Sequence, residues 1–287
     1  MITPAIVGIS AVEINVLINT QLASQLGYTG PLSWLDFAFR IIYLPIGLFG
    51  VAVGVVNLKE VSAWAAEGRW EELKATVANS VKLSMLVALP STAGLLALAR
   101  PIVRILFEHG AFSASDTMWT AYALCCYSVG LAAYSLIKVY VPTFYALNDT
   151  RTPVRTSVTA VAVNLVVNGT LFVTLPDDFR YLGLALGTSA SVIVSCLLLA
   201  RAFRKRLGSL QGYAVRPALL KSALAAAGMA ALVYILHQSL SKALGGGFLE
   251  QAMALGVSIG VGMAVYFGLA FLLNVEEARL VVRRIWR

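Results

Sequence analysis

Charge is scarce in this chain. Asp, Glu, Lys and Arg make up 13% of its 287 residues while 59% are hydrophobic, and mean hydropathy is +0.80. Soluble domains carry about 25% charged residues, so a water-covered globule is excluded. Cysteine is scarcer still: Cys125 and Cys126 are adjacent and Cys196 is distant, all within apolar runs. They build neither a disulfide framework nor a metal site and read as small packing residues. His109 and His237 have no metal-ligand spacing, and HExxH, GxSxG, Walker A and paired catalytic carboxylates are absent. Enzymatic hydrolysis and ATP turnover by this chain therefore have no residues to rest on. The opening "MITPAIVGIS" has no basic region or small-residue cleavage pattern and is not a signal peptide. A chain that begins so abruptly inside an apolar run is expected to be the C-terminal part of something longer.

Long apolar runs are abundant instead. Crossing a hydrocarbon core takes about 20 helical residues at 1.5 Å each. About eight runs qualify, over 4–26, 32–57, 76–99, 119–145, 154–175, 181–203, 217–239 and 249–274. The expected fold is all-α, a polytopic membrane protein. Its net charge of +8 would suit nucleic acid, but the placement of the charges argues for a membrane. With Met1 cytoplasmic, loops on that side hold Lys59, Arg69, Lys74, Arg151, Arg155, Arg201, Arg204, Lys205, Arg206, Arg216, Arg279, Arg283, Arg284 and Arg287. The opposite loops hold Arg100, Arg104, Arg180 and Lys242. That asymmetry predicts cytoplasmic termini and membrane lipids as surroundings.

Three connections carry structure of their own. Residues 59–76 are charged and helix-favouring, with Val61, Trp64, Ala65 and Leu73 able to share a face, which predicts an amphipathic helix on the cytoplasmic surface. Residues 99–117 predict a short helix at the outer interface ended by Gly110. Ser113 or Ser115 then caps the next span, with Asp116 in its first turn. Residues 204–216 form a basic linker suited to anionic lipid, dividing a six-span body (1–203) from a two-span unit with a basic tail (217–287).

Polar residues inside the spans are the candidates for function. Arg40, in "WLDFAFRIIYLP", lies about 14 Å along a helix from Pro31, too deep to snorkel easily. A central arginine costs about 2.5–3.5 kcal/mol, so it calls for a partner or a wet cavity. Asp36, one turn earlier, can pair with it; alternatively the guanidinium forms an anion site, since it binds phosphate bidentately and stays charged. Pro45 should kink this helix. Gly50 and Gly54 stand at close-packing spacing. Glu13, Asn15 and Asn19, then Asn164 and Asn168, then Thr188 and Ser189 put polar groups on three further spans. They suit interhelical hydrogen bonds or a cation site of amide and carbonyl oxygens. Lys82 and Lys138 lie close enough to span ends to snorkel.

Several stretches together resemble a known family. "PAIVGISAVEINVLINTQLAS" (4–24), "GLFGVAVGVV" (47–56), "ARPIVRILFEHGAF" (99–112) and above all "YSVGLAAYSLIKVYVPTFYALNDTRTPVRTS" (127–157) are similar, in order and spacing, to the MurJ (MviN) family of lipid II flippases. The resemblance implies the C-terminal lobe of a MOP-superfamily, MATE-like exporter fold plus an appended helix pair, matching spans seven to fourteen of that family. It implies transport of lipid II for peptidoglycan synthesis across the bacterial inner membrane, by alternating access with a missing N-terminal lobe as partner. Arg40 would bind the diphosphate, beside Asp36, in a central cavity, with the last two spans helping to form a groove for the polyprenyl tail. Many relatives carry an acid just before this arginine, where this chain has Phe39. Some relatives bind sodium through spans seven, eleven and twelve, and the matching residues are Asn19, Asn164, Asn168 and Thr188. Amides in place of acids lower the expected affinity for a hard cation, so no cofactor is expected and membrane potential is an alternative drive. Two other readings are a truncated or split structural partner that does not transport, and an exporter of another polyprenyl-linked glycan.

Overall fold

A computed structural model describes residues 17, 19–24, 26, 30–47, 51–275 and 277–278. The first expected span lies largely outside these residues, together with Glu13 and Asn15, as do Gly50 and the basic tail from Arg279 onward.

The second expected span is divided. Helix α1 (Pro31–Pro45) begins on a proline, which the first turn tolerates because its N–H would be unpaired there anyway, and it ends on another. Pro45 offers no N–H to the carbonyl of Ile41, and the chain widens into a π-type turn at Ile46 and Gly47. Helix α2 (Val51–Ala66) follows. The amphipathic helix expected over 59–76 does not form as a unit. Residues 59–66 complete α2, Gly68 turns the chain at φ 71°, and α3 (Trp70–Phe107) begins. Val61, Trp64, Ala65 and Leu73 do meet, but as the contribution of two helices to one core that includes Val77, Val139, Phe144 and Phe203.

Helix α3 has 38 residues, about 57 Å of helix, and breaks at Leu98 (φ −114°, ψ 17°). Pro101 lies three residues on, and its ring cannot sit over the carbonyl of Ala97, which accounts for the break. The short outer helix expected after 99 is therefore the last segment of α3. Ser113 caps α4 (Ala114–Ser128): its hydroxyl accepts the Asp116 N–H at 3.2 Å, and its own N–H donates to the Asp116 carboxylate at 2.8 Å.

One expected span, 119–145, is two helices. α4 and α5 (Leu131–Ala146) meet at a 43° bend. The hinge is Gly130, where a Cβ would come within 3.1 Å of the Ser189 backbone. Ser189 belongs to α7 (Arg180–Leu207), and its hydroxyl donates to the Cys126 carbonyl at 2.7 Å, satisfying an acceptor beside the bend. α7 packs along α6 (Arg151–Thr174), to which a single 3₁₀ turn at Asp177–Phe179 joins it. Helices α8 (Val215–Leu244) and α9 (Phe248–Leu272) pair with each other and lie against α3. Five described helices are long and apolar enough to cross a membrane, or six with the bent α4–α5 pair as one span. The other two expected runs are the first, largely undescribed, and the second, divided between α1 and α2.

Two buried polar contacts fasten α9 and the residues after it to α3. Pro90 leaves the Leu86 carbonyl without its helical N–H, and the Tyr266 hydroxyl of α9 donates to that oxygen at 2.8 Å. One turn earlier on α3, Lys82 pairs with Glu277 at 2.6 Å, with side chains 11% and 8% exposed. Lys82 is thus a buried ion-pair partner, not the snorkelling residue expected. Lys138, by contrast, is exposed.

The α2–α3, α5–α6 and α7–α8 connections gather at one end of the bundle around a cavity of about 760 Å³. At the other end Trp34 donates its indole N–H to Asp116 at 2.7 Å and stacks on Trp119, with Tyr181 edge-on.

Candidate functional site

The local sequence of α1 decides where Arg40 points. Trp34, Leu35, Ala38, Ile41 and Ile42 are buried against α3, α4 and α7, and they occupy one side of the helix. Asp36, Arg40, Tyr43 and Gly47, at steps of four, three and four, run down the opposite side and are exposed. Arg40 Nη2 lies 2.8 Å from Asp36 Oδ2, with side chains 68% and 55% exposed. The ion pair read from the spacing therefore forms, on a helix face that no other described residue covers. The guanidinium carbon also sits 5.7 Å from the Phe37 ring centre. Phe39 packs between Tyr43 of this face and Tyr127 of α4. The charge balance at Arg40 is consequently set by Asp36, which keeps the guanidinium extended along the helix and free on its outer edge.

The four residues expected from the sodium-binding relatives are also brought together. Asn168 Nδ2 donates to Asn19 Oδ1 at 2.6 Å and to Asn164 Oδ1 at 2.9 Å, and Asn19 Nδ2 donates to Thr188 Oγ1 at 3.2 Å. Thr188 passes its own proton to the Leu184 carbonyl at 2.9 Å. Asn164 and Asn168 are 1% and 0% exposed. The oxygens of Asn19, Asn164 and Thr188 each already accept an amide N–H, and none of the four residues is a carboxylate. Without a carboxylate the set lacks the negative charge that favours a hard cation, although each amide oxygen that accepts one N–H keeps a second lone pair.

One member of this cluster escaped the sequence reading. A Cβ at Gly187 would overlap the Asn168 carboxamide, so only glycine lets α6 and α7 approach closely enough to bury these amides. Asn168 Oδ1 has no conventional hydrogen-bond partner and lies against this glycine. The legible signal was the run of small residues every fourth position on α7, Gly183, Gly187, Ser191 and Ser195, all buried.

Comparison with known proteins identifies the family and the fold. The family model "Lipid II flippase MurJ" matches residues 1–271. The chain is 32% identical over 278 residues to the probable lipid II flippase MurJ of Vibrio cholerae, covering 96% of this chain and 52% of that protein. With the corresponding protein of Rhizobium meliloti it shares 34% over 286 residues, covering 99% and 52%. Among solved structures, lipid II flippase MurJ in an inward closed conformation superposes with a TM-score of 0.75 at 23% identity, over 98% of this chain and 53% of that one. An outward-facing MATE-family transporter of the MOP superfamily follows at TM-score 0.64 and 17% identity, over 99% and 67%. The fold is thus that of a MOP-superfamily transporter, and the chain spans about half the length of the curated relatives it matches. The family model covers nearly the whole chain and relatives above 30% identity cover it as fully: this chain belongs to the lipid II flippase MurJ family.

Proposed function

We propose that this chain is one lobe of a flippase that moves lipid II, a lipid-linked peptidoglycan precursor, from the cytoplasmic to the periplasmic leaflet of the bacterial inner membrane. The observation that carries the proposal is Arg40: a guanidinium exposed within an apolar stretch, whose one ion-pair partner among the described residues is the exposed Asp36. A charge so placed is costly in lipid and affordable beside water. The stripe Asp36–Arg40–Tyr43–Gly47 therefore faces a wet cavity, whose other wall is a second lobe. Diphosphate arriving there competes with Asp36 for Arg40. It carries more charge than one carboxylate, and an exposed ion pair is held by about 0–1 kcal/mol. Asp36 thus keeps Arg40 in position without blocking it. Rocking of the two lobes then exposes the cavity to either side, while the polyprenyl tail stays in lipid along the apolar outer faces of α8 and α9. The cavity-bearing end with Lys74, Arg204, Lys205 and Arg206 faces the cytoplasm.

The amide cluster acts in this scheme as a hydrogen-bonded staple between α6, α7 and the segment carrying Asn19. Lacking a carboxylate it is a weak cation site, and the membrane potential is the drive that this reading favours.

The test is lipid II translocation by this chain completed with the N-terminal half of a relative. Arg40→Ala abolishes flipping, and Arg40→Lys, which keeps charge but not the bidentate fork, leaves it weak. Translocation by Arg40→Ala at the parent rate removes the diphosphate role.

A further inference from the structure

The cavity of about 760 Å³ at the basic end is separate from the Arg40 face: it is walled by α2, α3, α5 and α7, and α1 does not reach it. Its volume lies within the roughly 300–1,000 Å³ typical of small-molecule sites. The floor is apolar, built from Ala65, Ala146, Leu147 and Leu207, and Trp70 stands at its edge, 46% exposed. Two cations converge on it from different helices. Lys74 of α3 has a side chain only 17% exposed, and its ammonium lies 3.9 Å from where a Cβ of Gly208 would be, just past the end of α7. Arg206, two residues before that glycine, is braced by the loop after α5: Nη1 donates to Asp149 at 2.9 Å and Nη2 to the Leu147 carbonyl at 3.3 Å.

These contacts orient the cations without using them up. Lys74 gives one of its three N–H bonds to Glu71 at 2.7 Å, and Arg206 gives two of its five. Glu71, 74% exposed, is the one acid on the cavity wall, and its other oxygen is engaged at 2.9 Å by the Tyr213 hydroxyl from the linker. An acid so exposed holds Lys74 weakly, and a phosphate, with more charge and more acceptor oxygens, displaces it. A cationic pair over an apolar floor, with an interfacial tryptophan beside it, is the lining that an amphiphilic phosphate requires. We propose that this cavity binds the phosphate-bearing headgroup of an anionic membrane phospholipid between Lys74 and Arg206, with the glycerol and first acyl carbons over the alanine and leucine floor. Its occupant fastens the α2–α3 turn, the α5–α6 loop and the linker to α8 at one point on the membrane surface.

The experiment uses the full chain in nanodiscs of phosphatidylcholine alone or containing phosphatidylglycerol, reading by native mass spectrometry the phosphatidylglycerol retained and, separately, the thermal midpoint. Lys74→Ala with Arg206→Ala lowers retention about tenfold, the scale of losing two charge-assisted contacts. Arg155→Ala with Arg201→Ala, which removes equal charge from the same end outside the cavity, leaves it within twofold. Equal losses in the two double variants mean general surface attraction and overturn the site. Lys74→Gln, which leaves the Arg206 contacts to α5 intact, must lower retention in the same direction; an unchanged value overturns the proposal even if the double variant is misfolded. Inorganic phosphate added to phosphatidylcholine discs gives no stabilisation dependent on Lys74. If it reproduces the full effect, the ligand is a soluble phosphate and the lipid assignment fails.

Discussion

Replacing Tyr266 with Phe removes one hydroxyl from a residue that is 2% exposed, and the structure states what that hydroxyl does. It donates at 2.8 Å to the carbonyl of Leu86, the acceptor orphaned by Pro90. Deleting it takes the donor from a backbone carbonyl buried among Ala225, Met229 and Leu255, and takes from the buried Ser222 side chain the hydroxyl it bonds. An orphaned buried acceptor costs about 1–3 kcal/mol, while measured side-chain hydrogen bonds between membrane helices average about 0.6 and reach about 1.7. A loss of about 1–2 kcal/mol is expected, which for a chain of this size lowers the thermal midpoint in detergent by roughly 2–8 °C. The decisive measurement is the cycle with Pro90→Ala. Alanine at 90 returns an N–H to Leu86, so in that background the carbonyl keeps a partner and Tyr266→Phe costs clearly less. The difference between the two losses is the coupling energy of proline and tyrosine. Equal destabilisation in both backgrounds would refute the reasoning, because the hydroxyl would then not be filling the gap that Pro90 leaves.

Glu277→Gln strands the Lys82 ammonium in a buried site and should cost about 3–5 kcal/mol in chemical or thermal unfolding. The exchange Lys82→Glu with Glu277→Lys should recover a substantial part of that loss, and failure to do so would mean the pair is not mutually compensating. Asn168→Asp replaces the N–H donor serving Asn19 and Asn164 with a carboxylate facing their oxygens. It should destabilise the chain by about 2–3 kcal/mol in choline chloride and regain stability in sodium chloride, whereas the parent melts alike in both. A parent midpoint that rises specifically with sodium would contradict the staple. The Asp149 carboxyl, in the loop between α5 and α6, is pushed up by burial, but the Thr152 N–H and hydroxyl with the Arg206 guanidinium outweigh this and hold it below its usual value. Because the folded-state pKa is depressed, its stabilisation is full above the unfolded carboxyl pKa of about 3.9 and is lost as pH falls through the folded one. Asp149→Asn should therefore flatten the stability profile below about pH 4 and lower stability at neutral pH; an unchanged acid limb would show that this carboxyl is not linked to folding.

Much of the architecture was legible because the physics that sets it is local in the sequence. Apolar runs long enough to cross lipid, separated by charged connections, announce helices without reference to any partner, and α6, α7, α8 and α9 fall within a few residues of the expected runs. The cap at Ser113 and the end of α1 at Pro45 follow equally from one residue type at one position. The bend at Gly130 was not legible, since a serine and a glycine without a proline do not by themselves break an apolar run. It exists because Ser189, 59 positions later, offers a hydroxyl to the inner carbonyls of α4 and a surface too close for a side chain. Lys82 was misjudged for the same reason, as its partner Glu277 lies beyond the last span and nothing in the intervening sequence connects the two.

The candidate sites divide along the same line. Sequence alone determined that Arg40 is a charge within an apolar run with Asp36 one turn away, because helical spacing makes them neighbours whatever surrounds them. It also determined, through family-specific stretches, which amides to compare with a cation site. Only the tertiary structure decided that the Arg40 side of α1 is uncovered by any other described residue, since exposure depends on which helices pack where. Only it decided that Asn19, Asn164, Asn168 and Thr188 hydrogen-bond one another, because hydrogen bonds between helices depend on distances that a close glycine contact at Gly187 sets. The order of the residues specifies what each group can do; the packing of α6 on α7 and of α9 on α3 specifies which groups are already occupied.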